Sequence, residues 1–179
     1  GSRADEVRRH LPVVTGAYEL LRQELPGLRA KMVLPNDALL HFVNASGPPS
    51  GLELQVGSIS AALADADLAI TKSGTITMEC AMLGVPAVVF YKTSWPTYLI
   101  GRQIVNVKYL AMPNLLAGEE IYPEFIQDAA TAENISRSAL ALLRDESRRA
   151  VVKSKLAEVV ASLGTSGAAS RAADAIVSL

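Results

Sequence analysis

Seven consecutive residues, Ser73-Gly74-Thr75-Ile76-Thr77-Met78-Glu79, combine the types needed to hold an anion. A short apolar run, Leu68 to Ile70, precedes them, and a helix-like apolar run closed by Gly84-Val85-Pro86 follows. A small, hydroxyl-bearing turn between a strand and a helix presents free backbone N–H groups to a phosphate. With Gly74 at the helix start, the N–H groups of Gly74, Thr75 and Ile76 are unspent, and the helix dipole favours negative charge beside them. Ser73 and Thr75 add hydroxyls. Glu79 follows Thr75 by four residues and so shares its face. Helical side chains lean towards the N-terminus, so the carboxylate reaches back beneath the turn. There it would repel phosphate yet accept hydrogen bonds from sugar hydroxyls one unit away. The pattern points to a nucleoside diphosphate. It also suits a plain helix cap at Ser73, with Glu79 paired to a nearby Lys or Arg.

Two further places could serve the same ligand. Gly1-Ser2-Arg3 is a small turn before a helix, and Arg3 in the first turn could aim its guanidinium at a diphosphate. An exposed Arg there works against the dipole, which hints at an anion. In Pro113-Asn114-Leu115-Leu116-Ala117-Gly118, read as a loop, an amide sits among apolar residues. Asn114 could read a sugar hydroxyl or acetamido group, with Gln127 as a second amide, or it could bond its own backbone in a turn. His10 and His41 stand apart, and with one cysteine they form no metal-ligand spacing. Neither a metal nor another cofactor is expected. Cys80 reads as a small core residue, and Arg144, Arg148 and Arg149 as a solvated helix face.

The elements that must position these residues alternate. From Ala4 to Leu25, Val7, Leu11, Val14, Tyr18, Leu21 and Leu25 recur in steps of four and three, a helix with one buried face. Pro12 removes one of its hydrogen bonds, so a kink near Arg8 to Leu11 is expected. Strands are expected over Leu28–Leu34, Leu52–Val56, Leu68–Thr71 and Pro86–Tyr91, the last buried on both faces. Helices over Asp37–Val43, Ser58–Ala64 and Thr75–Leu83 separate them. This alternation specifies an α/β fold: a mostly parallel, Rossmann-like sheet with helices on both faces. Lys108 to Met112 reads as a last short strand. From Thr131 onward the chain is helical: Ala132–Leu143, Glu146–Leu163 and Ser166–Leu179.

The chain has 179 residues, 50% apolar and 20% charged, enough for one buried domain and too few for several. With 17 basic and 18 acidic residues the net charge is −1, which gives no footprint for nucleic acid. One cysteine permits no internal disulfide. No apolar run is long enough to cross a bilayer and no signal peptide opens the sequence. A cytoplasmic protein is expected.

Together these segments resemble the C-terminal half of a lipid-A-disaccharide synthase, a glycosyltransferase of the two-Rossmann (GT-B) architecture. The resemblance covers essentially the whole chain. It is carried by Gly1-Ser2-Arg3 with Glu6, by Ser73-Gly74-Thr75 with Thr77 and Glu79, and by Gly84-Val85-Pro86. It continues through Pro113-Asn114-Leu115-Leu116-Ala117-Gly118, the most specific string, to Pro123-Glu124-Phe125-Ile126-Gln127. It implies a UDP-2,3-diacylglucosamine donor, a lipid X acceptor, and a β-1,6-linked disaccharide plus UDP as products. Arg3 would pair with the diphosphate, Ser73, Gly74 and Thr75 would cradle it, Glu79 would hold the ribose, Asn114 and Gln127 would read the sugar and phosphates, and Thr77 counts among the UDP-binding residues. The displacement would be inverting and need no metal where Arg3 and the turn offset the charge on leaving UDP. Glu119 departs from the basic residue of many members.

The family also carries an acceptor-binding N-terminal domain that supplies the base, and a buried strand just before the Gly-Ser-Arg turn. Neither lies in this sequence, so no catalytic residue is assigned here and no turnover is expected from this chain alone. The amphipathic Trp95 to Val105 segment is a candidate for peripheral contact with the inner membrane of a Gram-negative bacterium. A homo-oligomer is left open. Two other readings stay in view: the donor half of another UDP-N-acetylglucosamine user, such as a peptidoglycan-precursor transferase or a 2-epimerase, and a non-catalytic nucleotide-binding module.

Overall fold

The computed structural model describes residues 3–98 and 107–164, together with 167, 173, 174, 176 and 177. Its first helix, α1 (Ala4–Glu24), runs unbroken through Pro12, so the proline does not divide it. Thr15 Oγ1 donates to the Leu11 carbonyl at 2.8 Å, one turn back along the helix. Then follow β1 (Ala30–Leu34), α2 (Asp37–Ala45), β2 (Leu52–Val56), α3 (Ile59–Ala64), β3 (Ala69–Lys72), α4 (Ile76–Met82) and β4 (Ala87–Tyr91). The expected alternation is present, with boundaries within two residues of those read from the sequence. Asn36 caps α2 by accepting the Leu39 N–H at 3.0 Å. Ser58 precedes α3 but does not cap it with its side chain. Its φ is 52°.

All strand pairs are parallel, but they form two sheets instead of one. β1 pairs with β2 from Ala30↔Leu52 to Leu34↔Val56. The second sheet has the order β3-β4-β5, with Lys72 opposite Phe90 and Val89 opposite Glu124. Its outer strand β5 (Glu124–Ile126) was not expected, whereas Lys108 to Met112 forms no strand. The Leu110 and Ala111 N–H groups donate to the Glu124 carboxylate at 2.7 and 2.9 Å, so they are spent on a side chain and not on a ladder. Nor is Pro113–Gly118 a loop: Met112–Ala117 is a short helix, α5. Pro113 fits its first turn, where no N–H partner is needed, and Gly118 ends it.

A 3₁₀ turn (Gln127–Ala129), α6 (Ala132–Arg144) and α7 (Glu146–Ser162) complete the described elements. Thr131 and Asp145 cap the last two helices by accepting from Asn134 N and Arg148 N. Of the expected Ser166–Leu179 helix, and of Trp95–Val105 beyond Tyr98, most lies outside the described residues. Trp95 itself is exposed and meets the Tyr98 ring edge-on. Among the described residues no helix is long and apolar enough to cross a membrane.

The core follows the split in the sheet. The larger cluster centres on β4, where Ala87, Val88, Val89 and Phe90 are 0–3% exposed. Burying such a valine or phenylalanine side chain stabilises the fold by about 1.5–3 kcal/mol each. The smaller cluster joins Val7, Leu34, Leu39 and Val43. Helix α1 belongs to both: Ala17 and Leu21 enter the first and Val7 the second. It lies closely on α6, since a Cβ at Gly16 would come within 3.0 Å of the Ala132 Cβ. Cys80 is fully buried, and burial pushes its thiol up to about 12, in keeping with a core role.

One polar residue is buried where α1 crosses the second sheet. His10, 5% exposed, packs edge-on to Phe90 at 5.0 Å, and its Nε2–H donates to the Lys92 carbonyl at 3.0 Å. Its Nδ1 is buried and makes no hydrogen bond among the described residues. A proton on Nδ1 would therefore put an unpaired charge inside the protein. Desolvation lowers the imidazole below its ordinary 6.5, and Lys72 adds to that, against the Lys92 hydrogen bond and Glu6. Below about 6.5 the unfolded chain then binds more protons than the folded one, so stability falls as pH falls through that value. Thermal melting between about pH 7 and pH 5 should show this decline, and a His10→Gln variant, less stable at neutral pH, should show a shallower one. Parallel profiles for the two proteins would show that His10 does not cause it.

Candidate functional site

The residues singled out for chemistry gather at the C-terminal edge of the β3-β4-β5 sheet, the edge at which open α/β folds bind ligands. Polar residues gather where each strand of this sheet ends: Lys72 at the end of β3 and Ser73 after it, Lys92 and Thr93 after β4, Gln127 after β5. Helix α1 brings Arg3, Glu6 and His10 to the same edge. Glu6 pairs with Lys72 Nζ at 2.9 Å, and His10 is bonded to Lys92.

The turn between β3 and α4 is held from three directions. Ser73 N donates to the Phe90 carbonyl at 3.0 Å, which extends the β3–β4 ladder by one residue. Ser73 Oγ donates to the Leu110 carbonyl at 2.7 Å. The Gly74 carbonyl accepts from both the N and Oγ1 of Thr77, at 3.0 and 2.7 Å. Gly74 has φ +152°, a conformation that side chains disfavour, so glycine is required. Thr75, not Ser73, occupies the cap position of α4, and it makes no side-chain capping bond. Among the described residues the N–H groups of Gly74, Thr75 and Ile76 donate no hydrogen bond. Thr75 is exposed. Glu79, half-buried one turn on, makes no ion pair among the described residues, so the pairing with a local cation considered for it is not formed.

Three expected ligand contacts instead support the site. Thr77 is fully buried and its hydroxyl is committed to Gly74. Asn114 is also fully buried, with every hydrogen-bonding position used. Its Oδ1 accepts from Ile121 N and Tyr122 N, both at 2.9 Å, and its Nδ2 donates to the Tyr122 carbonyl and to Glu124 Oε1, both at 2.7 Å. No atom of this amide is left to read a sugar. Gln127 is 6% exposed and clasps the Thr93 backbone, accepting from its N at 2.7 Å and donating to its carbonyl at 3.3 Å. Both amides were expected to face the ligand because the sequence shows their polarity and not their burial.

Glu124 was missed as a key residue. It accepts from Leu110 N, Ala111 N and Asn114 Nδ2, and thereby fixes the carbonyl to which Ser73 is tied. Its one sequence signal was its place in the Pro123–Gln127 string. Arg3 sits at the N-cap of α1, exposed, while Gly1 and Ser2 lie outside the described residues. Glu119 is paired with Lys155 of α7. Among the described residues no group of three or more His, Cys, Asp or Glu is placed to hold a metal ion. A cavity of about 400 Å³ lies elsewhere, between α1 and α2, lined by residues including Arg8, Leu11, Thr15 and Phe42. It touches none of the residues of the β3–α4 turn.

This architecture has known counterparts. An O-GlcNAc transferase mutant of Thermobaculum terrenum superposes with a TM-score of 0.55 at 22% identity, over 86% of this chain and 30% of that one. A chain of the GtfA/B complex superposes with a TM-score of 0.52 at 13% identity, over 91% and 34%. At these identities the likeness shows the fold alone. Sequence reaches further. The chain is 38% identical over 176 residues to the lipid-A-disaccharide synthase of Syntrophus aciditrophicus (strain SB), covering 97% of this chain and 46% of that protein. It is 37% identical over 179 residues to that of Solibacter usitatus (98% and 46%) and 36% identical over 168 residues to that of Nitrosococcus oceani (92% and 43%). The chain thus spans about half the length of the curated relatives it matches. The family profile described as lipid-A-disaccharide synthetase matches residues 1–177, and the chain belongs to that family.

Proposed function

We propose that this chain is the donor-binding half of an enzyme that transfers a diacylglucosaminyl group from UDP-2,3-diacylglucosamine to lipid X, releasing UDP. The observation that carries the reading is the β3–α4 turn. Its three N–H groups and the Glu79 carboxylate, without partners among the described residues, suit a diphosphate and an adjacent ribose. In this arrangement Gly74, Thr75 and Ile76 hold the diphosphate by their backbone, with Arg3 added across the crevice. Glu79 accepts from the ribose hydroxyls. As the glycosidic bond breaks, charge develops on the leaving UDP, and fixed N–H donors stabilise it without reorganising. The base that activates the acceptor hydroxyl lies in the other half of the enzyme.

The split sheet supports a second part of the proposal. Among the described residues β1 pairs on one side only, with β2, and β3 on one side only, with β4. A parallel strand entering α1 through a right-handed crossover lies beside β1, on the side β2 leaves open. The same strand would meet the free edge of β3 and join the two sheets in the order β2-β1-new-β3-β4-β5. We assign that strand to the stretch immediately before Gly1 in the longer protein. Extending the chain by that stretch should slow amide exchange along Ala30–Leu34 and Ala69–Lys72 and raise the melting temperature by several degrees. Exchange unchanged at both strands would overturn the assignment.

Titration of UDP into the intact protein tests the site. Wild type should bind UDP, and Glu79→Ala should bind it about tenfold or more weakly, the loss of two charge-assisted hydrogen bonds. No binding of UDP by wild type would sink the reading, and ADP bound as well as UDP would point to a nucleotide module of another kind. Asn114→Ala should behave differently. It strands the Ile121 and Tyr122 N–H groups and a carboxylate oxygen, and should cost about 3 kcal/mol of stability, read by urea unfolding.

A further inference from the structure

Lys72 and Glu6 form a half-buried ion pair that the site as described does not use. Lys72 ends β3 and directly precedes the Ser73-Gly74 turn. Its Nζ meets Glu6 Oε2 at 2.9 Å, with the two side chains 24% and 22% exposed. The lysine stem lies over the turn, since a Cβ built on Gly74 would be 4.0 Å from Lys72 Cε. Two further cations lie on the same edge. Arg3 precedes Glu6 by one helical turn, and Lys92 enters from β4, bonded through its carbonyl to His10 and through Nζ to the Ala130 carbonyl at 3.3 Å. Arg3, Lys72 and Lys92 thus stand at this edge with the carboxylates of Glu6 and Glu79. We propose that Lys72 is a phosphate ligand held in place by Glu6, and that binding a nucleoside diphosphate exchanges the Glu6 carboxylate for the terminal phosphate. The proposal rests on the reading of this turn as a diphosphate site.

Electrostatics gives the direction of the exchange. A terminal phosphate carries more negative charge than a carboxylate and offers three oxygens, so it competes well for an ammonium that is a compact point charge. Glu6, left beside the bound phosphate, would repel it. Its partial exposure lets water resolvate the carboxylate when the pair opens. Glu6 therefore acts against binding while it orients the lysine that promotes it. A pair that only pins α1 to β3 would behave otherwise, since losing either partner would loosen the same contact.

The two roles give opposite signs in one experiment. UDP and UMP are titrated calorimetrically into the intact wild-type protein and into Lys72→Met, Lys72→Arg and Glu6→Gln variants, with melting temperatures recorded for each. Lys72→Met should weaken UDP about tenfold or more, the usual size of a lost hydrogen bond to a charged group, and change UMP much less. Lys72→Arg should recover most of that loss. Glu6→Gln should tighten UDP several-fold while lowering the melting temperature. Losses of UDP affinity in both Lys72→Met and Glu6→Gln, or equal losses for UMP and UDP, would overturn the proposal and leave the pair as a structural pin. Should Lys72→Met fail to fold, the sign of the Glu6→Gln effect decides alone. Wild type that binds neither nucleotide would instead remove the diphosphate site itself, and this proposal with it.

Discussion

The site depends on one buried amide. Asn114 joins α5 to the chain entering β5 through four hydrogen bonds, and Glu124 turns that junction back onto the Leu110–Ala111 backbone. The Leu110 carbonyl so fixed accepts the Ser73 hydroxyl. A rigid path therefore runs from the outer strand to the first residue of the β3–α4 turn, and none of its members needs to touch a ligand. Fully satisfied buried polar networks of this kind specify a single arrangement, whereas a network missing one member leaves several groups unpaired. The Asn114 amide is thus better understood as the bracket of the turn than as a reader of sugar.

The second constraint is the division of the core. One helix serves both apolar clusters, so α1 carries the mechanical connection between a two-stranded and a three-stranded sheet. The same helix presents Arg3, Glu6 and His10 to the edge where the strands end. Displacing α1 would move the cations and carboxylate of the crevice together with the Val7 and Leu21 contacts. Coupling of this sort makes the arrangement of charge at the edge a property of core packing and not of local loop structure. It also gives a role to a histidine whose buried Nδ1 has no hydrogen bond among the described residues. The His10–Lys92 bond ties α1 to the end of β4, where an aliphatic side chain would offer no donor.

Much of this was legible in the sequence. Period-four and period-three spacing located α1, and continuous apolar runs with flanking breakers located β1 to β4, because burial imposes those patterns. The glycine of the turn was legible too, since a positive φ demands it. Other features were hidden. β5 is three residues long and only partly buried, too short for a period to show, and its neighbour Lys108–Met112 carried the better strand pattern while its N–H groups went to Glu124. Helix α5 looked like a loop because Pro and Gly mark turns as readily as they mark the two ends of one short helix. For Asn114 and Gln127 the sequence reports a polar group among apolar neighbours. Whether that group faces a ligand or a stranded backbone depends on the fold around it.

The same distinction separates the roles within the Ser73–Glu79 turn. The residues whose side chains are spent, Ser73 and Thr77, are the ones that shape its backbone. The groups left over are backbone N–H donors and one carboxylate. Backbone donors are suited to a diphosphate because they recognise charge and spacing without the conformational entropy that a long side chain loses on ordering. In the proposed site, specificity for the rest of the ligand would fall to Glu79, which can accept but not donate and so would select hydroxyls over further phosphate oxygens. Arg3 and Lys72 lie outside the turn, at the start of α1 and the end of β3, and in the proposed site their charges would act on the ligand as a whole. In the proposed site the division of labour would be physical: the turn would supply geometry, the carboxylate discrimination, and the surrounding cations attraction that their own counter-ion limits.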